Sequence, residues 1–185
     1  MSHSTRRQFI AASSACAFTI GSTGTAFAAS RRKIDRRIDS ALLDLQDVSP
    51  QLQQLVYSSA GILLMPRVRR AGLGFGAAYG EGALLIGGAP VEYYSVAAAS
   101  FGLQIGIQQY ASAVFFTTED RLAKFRRRDG WTVGADLEYT AWDQGENADI
   151  DSNTYKEETY GVVFSQEGLH VGATLEGSKY SRISR

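Results

Sequence analysis

The sequence predicts an α+β fold: two N-terminal helices, then a strongly curved, glycine-rich antiparallel β-sheet approaching a barrel, with one inserted helix. Three observations carry that expectation. Apolar residues recur at helical spacing between residues 34 and 48. From Ile62 onward the period becomes two, and turn residues return about every eight to twelve positions. Within one of those strands Gly72, Gly74, Gly76, Ala78 and Gly80 occupy alternate positions, so one face has almost no side chains. The composition fits a single packed core: 185 residues, 44% hydrophobic and 21% charged.

Residues 1–28 read as a signal peptide of the twin-arginine type. Arg6-Arg7 precedes Phe9, a mildly apolar stretch follows from Ala11 to Gly21, and Ala26-Phe27-Ala28 supplies a small-x-small cleavage site. The apolar run is too short and too rich in Ser and Thr for a spanning helix. Cys16 lies inside this segment, and Ser13-Ser14-Ala15 ahead of it makes a poor lipoprotein box. The chain is therefore expected to be exported, to the periplasm or envelope, with 29–185 as one domain.

Ile34, Ile38, Leu42, Leu45 and Val48 form one stripe of the first helix. Arg31, Arg32, Lys33, Arg36 and Arg37 crowd its start, where positive charge opposes the helix dipole, so they are not there to stabilise it. Ser49-Pro50 reads as an N-cap with proline in the first turn of a second helix, expected to run to Ala60 and close at Gly61. Strands are then expected at 62–65 (stopped by Pro66), 73–78, 83–86 after a Gly80-Glu81-Gly82 turn, and 91–96 after the turn at 87–90. Further strands follow at 101–107 and 113–116. A helix is expected from Thr118 to about Arg127, ending in the basic run Lys124, Arg126, Arg127, Arg128. Strands over 131–141, 154–165, 169–175 and 178–183 complete the sheet, with a polar loop at 144–153 and tight turns at 166–168 and 176–177.

Gly72-Leu73-Gly74-Phe75-Gly76-Ala77 also matches a loose dinucleotide-binding turn. That chemistry needs a helix opening directly after the glycines, and an acidic residue about 20 positions on. Neither is present. Glycine weakens a strand by about 0.5–1 kcal/mol per position, so the alternation needs a structural reason. Either another backbone or a ring packs on the bare face, or the sheet bends there.

No catalytic constellation stands out. Beyond the signal segment there is no cysteine and one histidine, His170, without a nucleophile motif around it. Asp149-Ile150-Asp151-Ser152-Asn153 begins like a calcium loop, but Thr154 and Tyr160 fall where glycine and glutamate are required. Glu81 and Glu92 are two acids in turns with nothing setting their separation. The expectation is a non-enzymatic protein with no metal and no cofactor. Charge is uneven: 13 basic and 8 acidic residues over 31–128, against 4 and 11 over 129–185. The acidic second half and export exclude nucleic acid as a partner.

The segments Ala60–Gly72, Gly76–Leu84, Tyr93-Tyr94-Ser95, Ser100–Gly106, Gly130–Asp136 and Gly168–Gly177 together resemble the SYLF-domain family, also called actin-binding in eukaryotic members. The resemblance extends over nearly all of 31–185 and departs from the family pattern at 144–158, which is more acidic and polar. It implies a lipid-binding domain that docks on an anionic phospholipid membrane. Arg31, Arg32, Lys33, Arg36 and Arg37 are the implied contact, with Arg67, Arg69, Arg70, Lys124, Arg126, Arg127 and Arg128 as secondary candidates. At about 1 kcal/mol per cation near an anionic surface, the first five supply about 5 kcal/mol, a Kd of about 0.2 mM. Ile34, Ile38 and Leu42 could insert in the membrane or pack on the sheet, but not both. The alternative from another class is an interaction module for a partner protein of the cell envelope, using the acidic 143–151 loop. Actin is not a plausible partner of an exported chain.

Overall fold

The computed structural model describes residues 30–141, 159–165, 168–169 and 175–185, with backbone alone at 73–75, 100–107, 165 and 168–169. The signal segment, the 143–151 loop, the calcium-like run, His170 and the 166–167 turn residues lie outside the described residues.

Helix α1 spans Arg31–Val48 and α2 spans Pro50–Ser58. They meet at Ser49, whose side-chain oxygen accepts from the Leu52 N–H at 3.2 Å, the cap expected from Ser-Pro. α2 ends earlier than its composition suggests. Ser59 closes it, its N–H and hydroxyl both bonding the Leu55 carbonyl. Gly61 instead begins the sheet, where an added Cβ would lie 2.8 Å from the Leu122 side chain.

Two very long strands, β1 (Gly61–Ile86) and β2 (Ala89–Phe116), form one antiparallel hairpin. Gly87 and Gly88 turn it, both at positive φ. Six strands expected from the sequence are thus pieces of two. Pro66 does not stop β1. It falls in a bulge between Met65 and Val68, where the missing N–H leaves no ladder bond unmade. Gly80-Glu81-Gly82 is strand interior rather than turn, and β2 runs unbroken past Ser100. A second bulge opposes Leu73–Phe75 to Phe101–Ile105 at the middle of the hairpin, beside the cross-strand pair Gly72–Gly106.

The hairpin curls on itself at that point, and the halves of β1 come into contact. A Cβ on Gly80 would sit 2.7 Å from the Arg67 carbonyl oxygen, and one on Gly82 would overlap the Leu64 carbonyl oxygen. The bare face is therefore the concave one, and what lies against it is the start of the same strand.

Helix α3 (Glu119–Arg126) follows β2, capped by Thr118, whose hydroxyl oxygen accepts from Arg121 N at 3.3 Å. Strands β3 (Gly130–Thr132), β4 (Thr140–Ala141), β5 (Thr159–Ser165), β6 (Gly168–Leu169) and β7 (Lys179–Ile183) complete a curled sheet of seven described strands. β5 extends one half of β2 and β7 the other, while β4 runs parallel to β5, making a mixed half-barrel within an α+β fold. The strand expected over 131–141 breaks after Thr132. There Asp136 takes the Thr132 N–H on its carboxylate at 2.9 Å, and Gly134 turns the chain at positive φ.

Each sheet face carries its own core. The convex face packs Ile62, Leu64, Ala83, Leu85 and Tyr93 against Ile34, Ile38, Ala41 and Leu45 of α1 and Leu52 and Leu55 of α2. The concave face encloses Leu63, Met65, Val68, Tyr94 and Tyr180, closed by Phe125 of α3 and Trp131. The Trp131 indole donates to the Phe125 carbonyl at 2.7 Å, tying the end of α3 to β3.

Candidate functional site

The basic residues singled out from the sequence divide between the two faces. α1 carries Arg31, Arg32, Lys33, Arg36 and Arg37 on the convex side, with Arg32, Lys33 and Arg36 exposed. Arg31 is exposed too but anchored. Its Nε donates to the Tyr93 hydroxyl at 2.9 Å and its guanidinium lies over the Tyr93 ring, while that hydroxyl donates to Asp35 at 2.7 Å. Burial and the hydrogen bond to Asp35 raise the Tyr93 pKa. The clasp fastens the basic end of α1 to β2.

Arg67 and Arg69 join this side because of the bulge at Pro66. Before it, even-numbered Ile62 and Leu64 face α1; after it, even-numbered Val68 faces the concave core, so odd-numbered residues turn outward to the helix side. Tyr79 and Glu81 share that face with Ala83 and Leu85, by strand alternation. Glu81 is the buried carboxylate here. It accepts from the Arg185 guanidinium at 2.5 Å and from the Tyr79 hydroxyl at 3.0 Å. Burial, then the charges of Arg67 and Arg69, hold the Arg37 guanidinium below its ordinary pKa, with Glu81 acting the other way. Arg36, Arg67, Arg69 and Glu81 thus all act on the Arg37 guanidinium, while Glu81 itself holds Arg185.

Arg70 and the α3 residues lie elsewhere. Arg70 falls on the concave side, near enough to Tyr110 to lower its pKa against the larger upward push of burial. Arg126 binds Glu92 through Nε and Nη2 at 3.0 and 2.9 Å, and Arg182 reaches the other Glu92 oxygen at 3.4 Å. Burial opposes the charge on Glu92, but Arg126, Tyr94 and Arg182 outweigh it and leave its pKa below the ordinary value. Burial and the Glu92 hydrogen bond push Tyr94 up to about 12. Arg128 pairs with Asp136 at 3.3 Å and covers the Trp131 ring. Lys124 and Arg127 sit on the same helix end, which therefore reads mainly as structural. Glu81 and Glu92 occupy opposite faces and form no acid–base pair.

A groove of about 310 Å³ opens between the end of α1, α2 and the hairpin turn, lined by Leu42, Val56, Tyr57, Ile62 and Leu85. It begins at least eleven residues along α1 from Arg31, about 17 Å at helical rise. The apolar groove and the basic end are thus separate features. Among the described residues no group of His, Cys, Asp and Glu could hold a metal, and no helix is long and apolar enough to cross a membrane.

No curated protein matches the chain. Residues 97–184, from the middle of β2 through β7, match the family model Ysc84, described as Las17-binding protein actin regulator. Of the motifs that carry the resemblance, Ala60–Gly72, Gly76–Leu84 and Tyr93-Tyr94-Ser95 lie before that span. The matched span joins the strands that build both faces of the half-barrel, and over it the chain is similar to the SYLF-domain (Ysc84) family.

Proposed function

We propose that this chain is an exported SYLF-type protein that binds anionic phospholipid at a membrane surface, without catalysis, through the basic end of α1. The observation that carries this reading is the gathering of Arg32, Lys33, Arg36 and Arg37 with Arg67 and Arg69 on one side of the sheet, away from the acid-paired cluster at α3. Arg31 belongs to the same end but is committed to Tyr93. The six other cations supply about 6 kcal/mol near an anionic surface, a Kd of about 40 µM. Such binding is peripheral and weakens as salt shortens the screening length.

The test is co-sedimentation of the protein with phosphatidylglycerol vesicles at low salt. Neutralising three exposed cations in R32Q/K33Q/R36Q removes about 3 kcal/mol, about 160-fold in affinity. Absence of vesicle binding by the unaltered protein, or binding that the triple variant keeps, sinks the reading.

A further inference from the structure

We propose that the outer face of α1 is an interaction surface for a second copy of this chain, the two helices lying antiparallel about a two-fold axis at the middle of α1. The inference goes beyond the membrane reading and does not rest on it.

Charge on α1 is arranged against the helix itself. Its cations all fall between Arg31 and Arg37, while Asp39, Asp44 and Asp47 follow, with no acid in the first turn and no base in the last. Asp35, the one acid of the basic half, is taken by the Tyr93 hydroxyl. Both ends therefore oppose the macrodipole. An anionic membrane would select the basic end but not the acidic one.

These charges form a seam. Arg32, Arg36, Asp39, Leu43 and Asp47 are all exposed. At about 100° per residue they lie within about 80° of one another, opposite the buried Ile34, Ile38, Ala41 and Leu45. Lys33 and Asp44 share one flank. Among the described residues none of these charged groups makes an ion pair, although Arg36 and Asp39 stand at a spacing that allows one. Leu43, in their midst, is 63% exposed.

The seam is complementary to itself in one orientation. Its sign changes between Arg37 and Asp39, at the middle of the 18-residue helix. A copy turned end over end about that point sets Arg32 against Asp47 and Lys33 against Asp44 and Asp47, twice over. The aliphatic stem of Arg36 covers Leu43 of the second copy while its guanidinium reaches for Asp44. The two Asp39 carboxylates approach at the axis, each within reach of both Arg36 side chains. Parallel packing would instead put Arg32 on Arg32 and Asp47 on Asp47, and like charge excludes it. Because Arg32, Lys33 and Arg36 are also the exposed cations of the membrane reading, pairing and docking exclude one another.

Sedimentation velocity of the protein without lipid tests the pairing. One helix pair is a small interface of the weak class, so the series extends to about 100 µM protein, at low ionic strength where screening is least. The unaltered chain is expected to pass from monomer to dimer as concentration rises, and back to monomer in high salt. R32E/K33E/R36E and D44K/D47K each leave the seam with one dominant sign and should lose at least about tenfold in association. Both changes suit the isolated helix, bringing acid to its start or base to its end, so the Tm of the dilute protein should not fall. An equimolar mixture of the two variants should pair. The full exchange R32E/K33E/R36E/D44K/D47K should dimerise alone, which only the antiparallel arrangement permits. A protein monomeric throughout, a dimer that either half-reversed variant keeps, or a full exchange that stays monomeric overturns the inference. None of these results bears on vesicle binding, and failure to bind vesicles leaves a lipid-free dimer standing.

Discussion

Gly82→Ala tests the central feature of the fold, the contact between the two halves of β1. The added Cβ would overlap the Leu64 carbonyl oxygen and lie 2.8 Å from Met65 Sδ and 2.9 Å from the Leu64 carbonyl carbon. Leu64 is fully buried and paired with Ala113 in the ladder, so its carbonyl cannot swing aside as a flexible side chain would. Overpacking a core typically costs 1–3 kcal/mol, and a rigid backbone neighbour places this case near about 3. Alanine returns about 0.5–1 kcal/mol through lower backbone entropy in the unfolded chain. The net loss is about 2 kcal/mol, or about 4–8 °C in Tm for a chain of this size. Gly130→Ala is the matched control. That glycine is also in a strand, but its added Cβ meets nothing closer than the Tyr180 carbonyl at 3.6 Å, so stability should hold or rise slightly. Thermal unfolding followed by circular dichroism reads both. If Gly82→Ala melts no lower than Gly130→Ala, the fold-back does not explain the glycines.

Tyr93→Phe removes the hydroxyl that links Arg31 to Asp35; about 1 kcal/mol of stability should go, with vesicle affinity within about twofold, whereas a large gain in affinity would mean that α1 must lift off to bind. Glu92→Gln probes a carboxylate whose folded pKa is depressed, so its contribution is present above the unfolded value of about 4.3 and lost as pH falls through the folded one. Urea midpoints should therefore show the variant weaker than the parent at pH 7 and converging with it once acid protonates Glu92 in the folded state; a gap that persists in acid refutes the ion-pair account. Export should yield a mature chain starting near residue 29 by mass spectrometry, and R6K/R7K should block it; a chain that stays full length in the cell contradicts the signal reading.

Local signals in the sequence were the readable ones. The α1 stripe, the Ser49-Pro50 start, the Thr118 cap and the Gly87-Gly88 turn depend on residues within a few positions of one another. The strand breaks expected at Pro66 and Gly80–Gly82 fail for one shared reason. Glycine and proline signal turns in isolation, but here they admit a bulge and a backbone contact whose other partner is some fifteen residues away. The site was legible only in part for the same reason. Uninterrupted alternation from Ile62 puts Arg67 and Arg69 with the concave Leu63 and Met65, and puts Arg70 beside α1. One extra residue at the bulge reverses that assignment. Tyr79 and Arg185 went unnoticed, although the period of two through Tyr79, Glu81, Ala83 and Leu85 already put the first beside Glu81. Arg185 offered no such signal, because nothing local ties it to a strand over a hundred residues earlier.

The packing of α1 bears on which of its two possible roles can prevail. Ile34, Ile38 and Leu45 are almost completely buried against the sheet, and exposing three such side chains costs about 6 kcal/mol at about 2 each. Inserting them into a membrane interface would recover a similar amount. The sheet surface they leave, with Ile62, Leu64, Leu85 and Tyr93, would then face water uncovered. That second loss is again on the order of 6 kcal/mol, and the Tyr93 clasp is broken as well. It equals the whole electrostatic gain available from six cations, leaving nothing to hold the protein on the surface. Docking with α1 in place meets no such cost, keeps Arg37 beside Arg67 and Arg69, and presents Arg32, Lys33 and Arg36 together. The energetics therefore favour a preformed basic face over a helix that peels away to insert.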